Sequence, residues 1–281
     1  FGLVLLHASA HETRRAQIDH RVGVALVRGL DGFGWRHACD LYCNEVLAVI
    51  QELREAGATD ITVSDSHGTG LNLPIERMPR GVRLVQSWPR RLGMMEGIDD
   101  SFDGAILLGY HSGSHNPRGV RAHTMSSANL FELTLNDKLV CEAELSAYLA
   151  GHFGVPILMV SGDDAVCEEV TAALPQCEPA IVKRALSYHS ANSLAPADAI
   201  DVLRAATRRA SSRRDEVQPT TLNGPVTMDL TFKNHRPTEL LAYLPNVEQL
   251  DAHRVRFVGQ DILEVSSFFE FALNYSPDLN P

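Results

Sequence analysis

Ala105-Ile106-Leu107-Leu108-Gly109-Tyr110 is an apolar, strand-like run that stops at His111, and the rest of the chain is read outward from it. A loop containing Gly, Ser and Pro follows and carries His115 and His123. A second strand-like run, Leu130 to Leu135, turns through Asn136-Asp137-Lys138 and reaches Cys141-Glu142, where a helix is expected to begin. Upstream, Ile61-Thr62-Val63-Ser64 stops in the same manner at Asp65-Ser66-His67. Downstream, Val155 to Val160 is continuously apolar, the mark of a strand covered on both faces, and it ends at Ser161-Gly162-Asp163-Asp164.

The elements between these strands fit an alternating pattern. Asp40 offers an N-cap, Val46, Val49, Ile50 and Leu53 fall on one face at helical spacing, and Gly57 closes that helix before the strand at 61–64. Helix, short loop and apolar strand in series are half of a βαβ unit. Further strands are expected at Gly2–Leu6, Val82–Val85 and Ala180–Lys183, with helices from Glu142 to Phe153 and from Asp164, as cap, to Leu174. Residues 7–35 are charged, with scattered glycines, and show no period that places an element.

Beyond Ser187 the texture changes. Pro196 opens a helix, Val226 to Phe232 alternates like a half-buried strand, Thr238 to Tyr243 is helical, Arg254 to Val258 is a strand, and Gln260 to Leu273 is an amphipathic helix. The expected fold is α/β: a three-layer α/β/α core over 1–190 with a mostly parallel or mixed central sheet, plus a smaller C-terminal α+β lobe over 191–281. That lobe shows few residues suited to chemistry.

Composition narrows the function. A hydrophobic fraction of 44% over 281 residues reads as globular and soluble, and a formal charge of −10 argues against nucleic acid, which needs a basic face. No apolar run reaches the length of a membrane span. The start, Phe1 to Ala10, has an Ala-x-Ala pattern but no basic stretch and too short an apolar part for a signal peptide, so a first core strand is the expectation. Five cysteines with no C-x-x-C pair point to a reducing, cytoplasmic setting.

In open α/β sheets, ligands collect beyond the carboxyl ends of strands. His67, His111 and Asp163-Asp164 all hold such positions. Either histidine alone is more often structural than a ligand; two at the same topological position support each other. Glu142 could cap its helix or, with His67 and His111, complete an imidazole–carboxylate set suited to zinc. His123 could serve as base or nucleophile beside a metal-bound substrate. Asp65 could orient a ligand histidine or simply end its strand, and His115 sits in surroundings typical of a mobile loop.

Five segments in series resemble the DppA-type zinc D-aminopeptidases: Asp65-Ser66-His67, Leu107 to His111, Ala122-His123-Thr124-Met125, Leu135-Asn136-Asp137 through Glu142 to Gly151, and Val155 to Asp164. Order and spacing agree over roughly Glu45 to Leu194. The resemblance implies a dinuclear zinc exopeptidase that releases N-terminal D-amino acids from short peptides; a related hydrolase of another small amide is the alternative, since fold does not fix substrate. It also implies a ring-shaped homo-oligomer. It makes His67, His111 and Glu142 metal ligands and His123 the catalytic residue. The family's first strand ends in Asp-x-Glu, whereas here it runs into His7-Ala8-Ser9-Ala10-His11-Glu12. Three readings of that departure stay open: His11, Glu12 or Asp19 substitutes, leaving one or two ions; the scaffold survives as a non-catalytic ligand-binding relative; or the reading frame shifts upstream of Trp35.

Overall fold

The computed structural model describes the backbone of residues 2–7 and 32–275, and side chains from 37 to 275. The first sheet has seven strands in the order β3-β2-β1-β4-β7-β8-β9. These are β1 Gly2–His7, β2 Asp60–Asp65, β3 Val82–Val85, β4 Gly104–Tyr110, β7 Ile157–Asp163, β8 Glu178–Ser187 and β9 Ser190–Ser193. All neighbours are parallel except β8 and β9. The chain winds from β1 to β2 and β3, then returns to place β4 on the other side of β1. This reversal creates the crevice at which open α/β sheets bind ligands. β2 and β4 flank it and lead to His67 and His111.

Successive residues of a strand face opposite sides, and β4 uses both. Ile106 and Leu108 pack with Val46 and Val49 of α1 (Gly32–Glu55) and Leu203 of α4 (Pro196–Ser212). Ala105 and Leu107 join the core of α2 (Glu142–His152) and α3 (Asp164–Ala173) on the other face. A sheet buried on both faces explains why β4 and β7 read as apolar runs.

The second sheet is antiparallel, in the order β11-β12-β10-β5-β6. It comprises β5 Leu130–Leu135, β6 Lys138–Leu139, β10 Val226–Phe232, β11 Val247–Gln249 and β12 Arg254–Gly259. Its helices are α5 (His235–Leu241) and α6 (Ile262–Asn274), and α6 packs against α2. Asn136 and Asp137 adopt φ of 48° and 61°, the two left-handed positions of a type I′ hairpin turn.

The division between sheets does not follow the expected 190/191 boundary. β9 and α4 belong with the first sheet, whereas β5 and β6 leave the first half of the chain to pair with β10. The cause is patterning: Leu130, Leu133 and Leu135 are buried while Phe131 is exposed, which suits an antiparallel strand wet on one side. Two caps also differ from expectation. α1 begins at Gly32, so Asp40 lies inside it and pairs with Arg77 at 2.8 Å. Asp163, not Asp164, caps α3 by accepting the Val166 N–H, and Asp164 instead accepts the Ala185 N–H at 2.7 Å.

Candidate metal centre

Three elements deliver the site. β4 ends at Tyr110 and leaves His111 buried at its tip. The loop beyond it doubles back, with the His123 N–H donating to Ser112 O at 3.0 Å. Arg121 and Met125, two residues either side of His123, both take φ of 57°, an unfavourable conformation for side-chain-bearing residues and typical of functional turns. Glu142 opens α2, but the helix is capped by its neighbour: the Glu144 carboxylate accepts the Cys141 N–H at 3.1 Å. Glu142 is therefore not needed as a cap. Its Oε1 instead accepts the Met125 N–H at 2.5 Å, tying the helix start to the histidine loop.

His111, His123 and Glu142 each place one ligand atom within 4.8 Å of the others. The imidazole rings stack at 4.0 Å with 17° between planes. Each Nδ1 lies against a backbone carbonyl, that of Ser112 at 3.1 Å for His111 and that of Arg121 at 2.6 Å for His123. A carbonyl only accepts, so both Nδ1 atoms carry a proton, and in the neutral ring the lone pair then belongs to Nε2. The two Nε2 atoms stand 3.5 and 3.9 Å from Glu142 Oε1. Burial, then the neighbouring His123, push the His111 imidazole down to about 4 against the opposing pull of Glu142, so it is neutral near pH 7. With neutral rings, the two Nε2 atoms and the Glu142 carboxylate bring their lone pairs face to face. That arrangement is repulsive alone and is what a divalent cation satisfies, so the donor set fits zinc.

His67 lines the same cleft but is not part of this trio. Its loop is folded by Asp65, whose carboxylate accepts the N–H groups of Asn72 at 2.6 Å and Leu73 at 2.8 Å and the Asn72 amide at 2.7 Å. The Asn72 amide also donates to His67 O at 2.8 Å. Asp65 thus reaches His67 through Asn72, by shaping the loop. Arg90 braces the loop from beneath: its five N–H donors engage Ser87 O, Ser64 Oγ, Ser66 Oγ, Asp65 O and Val85 O. Burial lowers its pKa, but the nearby acids Asp65, Glu96 and Glu270 oppose the loss of charge.

His115 lies elsewhere, 3.2 Å from Glu132 Oε2 and edge-on to Phe131, beside a separate cavity. His11, Glu12 and Asp19 fall outside the described residues. Glu270 and Asn274, both from α6, line the cleft although the C-terminal part was expected to hold little chemistry. Their sequence signal is slight: Glu270 is a lone charge within Phe268-Phe269-Glu270-Phe271.

The family model for Peptidase M55, D-aminopeptidase, matches residues 24–271. A D-aminopeptidase of Bacillus subtilis (strain 168) is 34% identical over 216 residues, which are 76% of this chain and 78% of the relative. The solved structure of the Zn-dependent D-aminopeptidase DppA from Bacillus subtilis, a self-compartmentalizing protease, matches with a TM-score of 0.85 at 28% identity. That match covers 98% of this chain and 99% of the other. With that coverage in both sequence and fold, the chain belongs to the M55 peptidase family of D-aminopeptidases.

Proposed function

We propose that this chain is a zinc-dependent aminopeptidase that removes N-terminal D-amino acids from short peptides. The observation that carries the reading is the convergence of His111 Nε2 and Glu142 Oε1 on one buried point, with the His123 imidazole stacked on His111 at 4.0 Å. A scaffold that had lost its chemistry would have no reason to keep that arrangement buried.

Exposure divides the roles. The His111 and Glu142 side chains are 5% and 4% exposed, whereas His123 is 27% exposed and can meet a substrate. His111 and Glu142 hold the ion, with His67 contributing from its loop at the same cleft. When bound, zinc supplies a Lewis acid that polarises the scissile carbonyl. His123 is the reactive base. Its Nδ1–H is anchored on Arg121 O, which leaves Nε2 of the neutral ring to take a proton from the attacking water and return it to the leaving amine.

The cytoplasmic assignment is part of the same reading, supported by five free cysteines. So is assembly into a ring-shaped homo-oligomer. It is supported by the self-compartmentalizing nature of the Bacillus subtilis protein and by exposed apolar side chains such as Leu186, Tyr243 and Val258.

Elemental analysis and turnover of D-Ala-D-Ala test the proposal. Bound zinc, loss of hydrolysis on chelation and recovery on adding zinc are expected, as is a zinc-loaded but inactive His123→Ala variant. Protein that binds no zinc, or turnover indifferent to chelator, refutes it.

A further inference from the structure

α6 crosses from the second sheet to the wall of the metal-binding cleft, and there it presents a carboxylate that the trio does not use. Glu270 is 7% exposed. Its Oε2 accepts the Asn274 amide at 2.8 Å, one helical turn on. Its Oε1 lies so close to Gly93 that a Cβ added there would come within 2.5 Å of it, and Gly93 has φ of +56°. The carboxylate is thus seated against bare backbone, with its position fixed.

Among the described residues, no cation makes a hydrogen bond or ion pair with it. The charge of Arg90 is felt at Glu270. All five of its N–H donors, however, are taken by serine hydroxyls and backbone carbonyls of the His67 loop and its surroundings. Placing a carboxylate in a nearly dry wall is costly unless something positive completes it. The other acid in the cleft, Glu142, is committed to the imidazole pair and to the Met125 N–H.

The cleft is also small, about 160 Å³, below the usual ~300–1,000 Å³ of small-molecule pockets. A cleft of that size suits the end of a chain. In a peptide, the terminal ammonium is separated from the first amide carbonyl by a single carbon. A residue seated with that carbonyl at His111, His123 and Glu142 therefore has a cation to offer the remaining acid.

We propose that Glu270, steadied by Asn274, receives the α-ammonium group of the substrate and restricts the cleft to free N-termini. This rests on the aminopeptidase reading for its substrate, but not for its test.

D-Alaninol carries the amine without a scissile bond, and N-acetyl-D-alaninol lacks the charge. Calorimetric titration of the zinc-loaded protein is expected to show D-alaninol binding at least tenfold tighter than its acetylated form. Glu270→Gln abolishes that preference while leaving the weak binding of the acetylated compound unchanged, and Glu270→Asp restores part of it. On D-Ala-D-Ala, Glu270→Gln raises KM about tenfold or more with little change in kcat. Asn274→Ala gives a smaller rise and serves if Glu270→Gln folds poorly.

Equal binding of the two alaninols by the unaltered protein, or D-alaninol affinity unchanged in Glu270→Gln, overturns the proposal. Hydrolysis of D-Ala-D-Ala with no such amine preference removes the ammonium site and leaves the aminopeptidase. Glu270-dependent amine binding without hydrolysis does the reverse.

Discussion

Glu270→Gln also reports on stability, because it removes a charge while keeping shape and the bond from Asn274. Burial raises the carboxyl of Glu270 from 4.5 to about 7, against the lowering effects of the Arg90 guanidinium and the Asn274 hydrogen bond, with Glu96 adding to the rise. In the unfolded chain the group titrates near its ordinary value. Below about pH 4.5 it is protonated in both states and carries no penalty. Between pH 4.5 and 7 the unfolded chain has lost a proton that the folded one keeps, so stability falls as pH rises. At 1.36 kcal/mol for each pH unit between the two values, the full difference is roughly 3 kcal/mol. Gln has no such term. The stability of the variant relative to the parent is therefore expected to improve by roughly 2–3 kcal/mol between pH 5 and pH 8. Urea unfolding of the two metal-free proteins, followed by tryptophan fluorescence and far-UV circular dichroism at both pH values, measures it. A difference that stays flat within about 0.5 kcal/mol would show that the folded carboxyl titrates normally, and the desolvation argument would fail.

Two further outcomes follow from packing beneath the site. In Gly151→Ala, the new Cβ would come 1.9 Å from the backbone oxygen of Thr220, so α2 or the 220 segment must move; a loss of roughly 1–3 kcal/mol is expected, read as a melting temperature several degrees lower, and an unchanged melting point would contradict the tight approach. Arg90→Lys keeps the charge but cannot reproduce the five-donor fork under the His67 loop; zinc affinity is expected to fall roughly 10–100-fold by titration calorimetry, and unaltered affinity would mean that the loop holds His67 without it.

Much of this molecule is legible in the residue order, and the limits of that legibility are physical. Strands that must be covered on both faces announce themselves as apolar runs, which is why β4 and β7 are legible, and with β4 the position of His111; the shorter Ile61-Thr62-Val63-Ser64 segment, ending at Asp65, marks β2 and the position of His67. The Asn136-Asp137 turn is equally plain, because few residues tolerate two consecutive left-handed conformations. The sheet that β5 joins is not written in its own residues: alternation says that one face is wet, not which partner strand lies alongside. A carboxylate at a helix start can be cap or ligand, and only the packing shows that Glu144 takes the cap and leaves Glu142 free for the cleft. The sequence places His123 beside the ligand set, but the stacking of its ring on His111 is a contact made by a loop with no period to read. Glu270 was invisible because it lies 128 positions after Glu142 in the numbering and only tertiary packing of α6 brings it to the cleft.

The excursion of the chain from β4 out to β5 and back through α2 to β7 gives the histidine–carboxylate cluster a mechanical meaning. His111 stands where the backbone departs the first sheet, and Glu142 where it begins the journey home from the second. Any sliding of one sheet over the other must stretch or squeeze the gap between them. A cation held there would act as a rivet across the junction, and whatever pries the two layers apart would loosen its grip on the ion in the same motion.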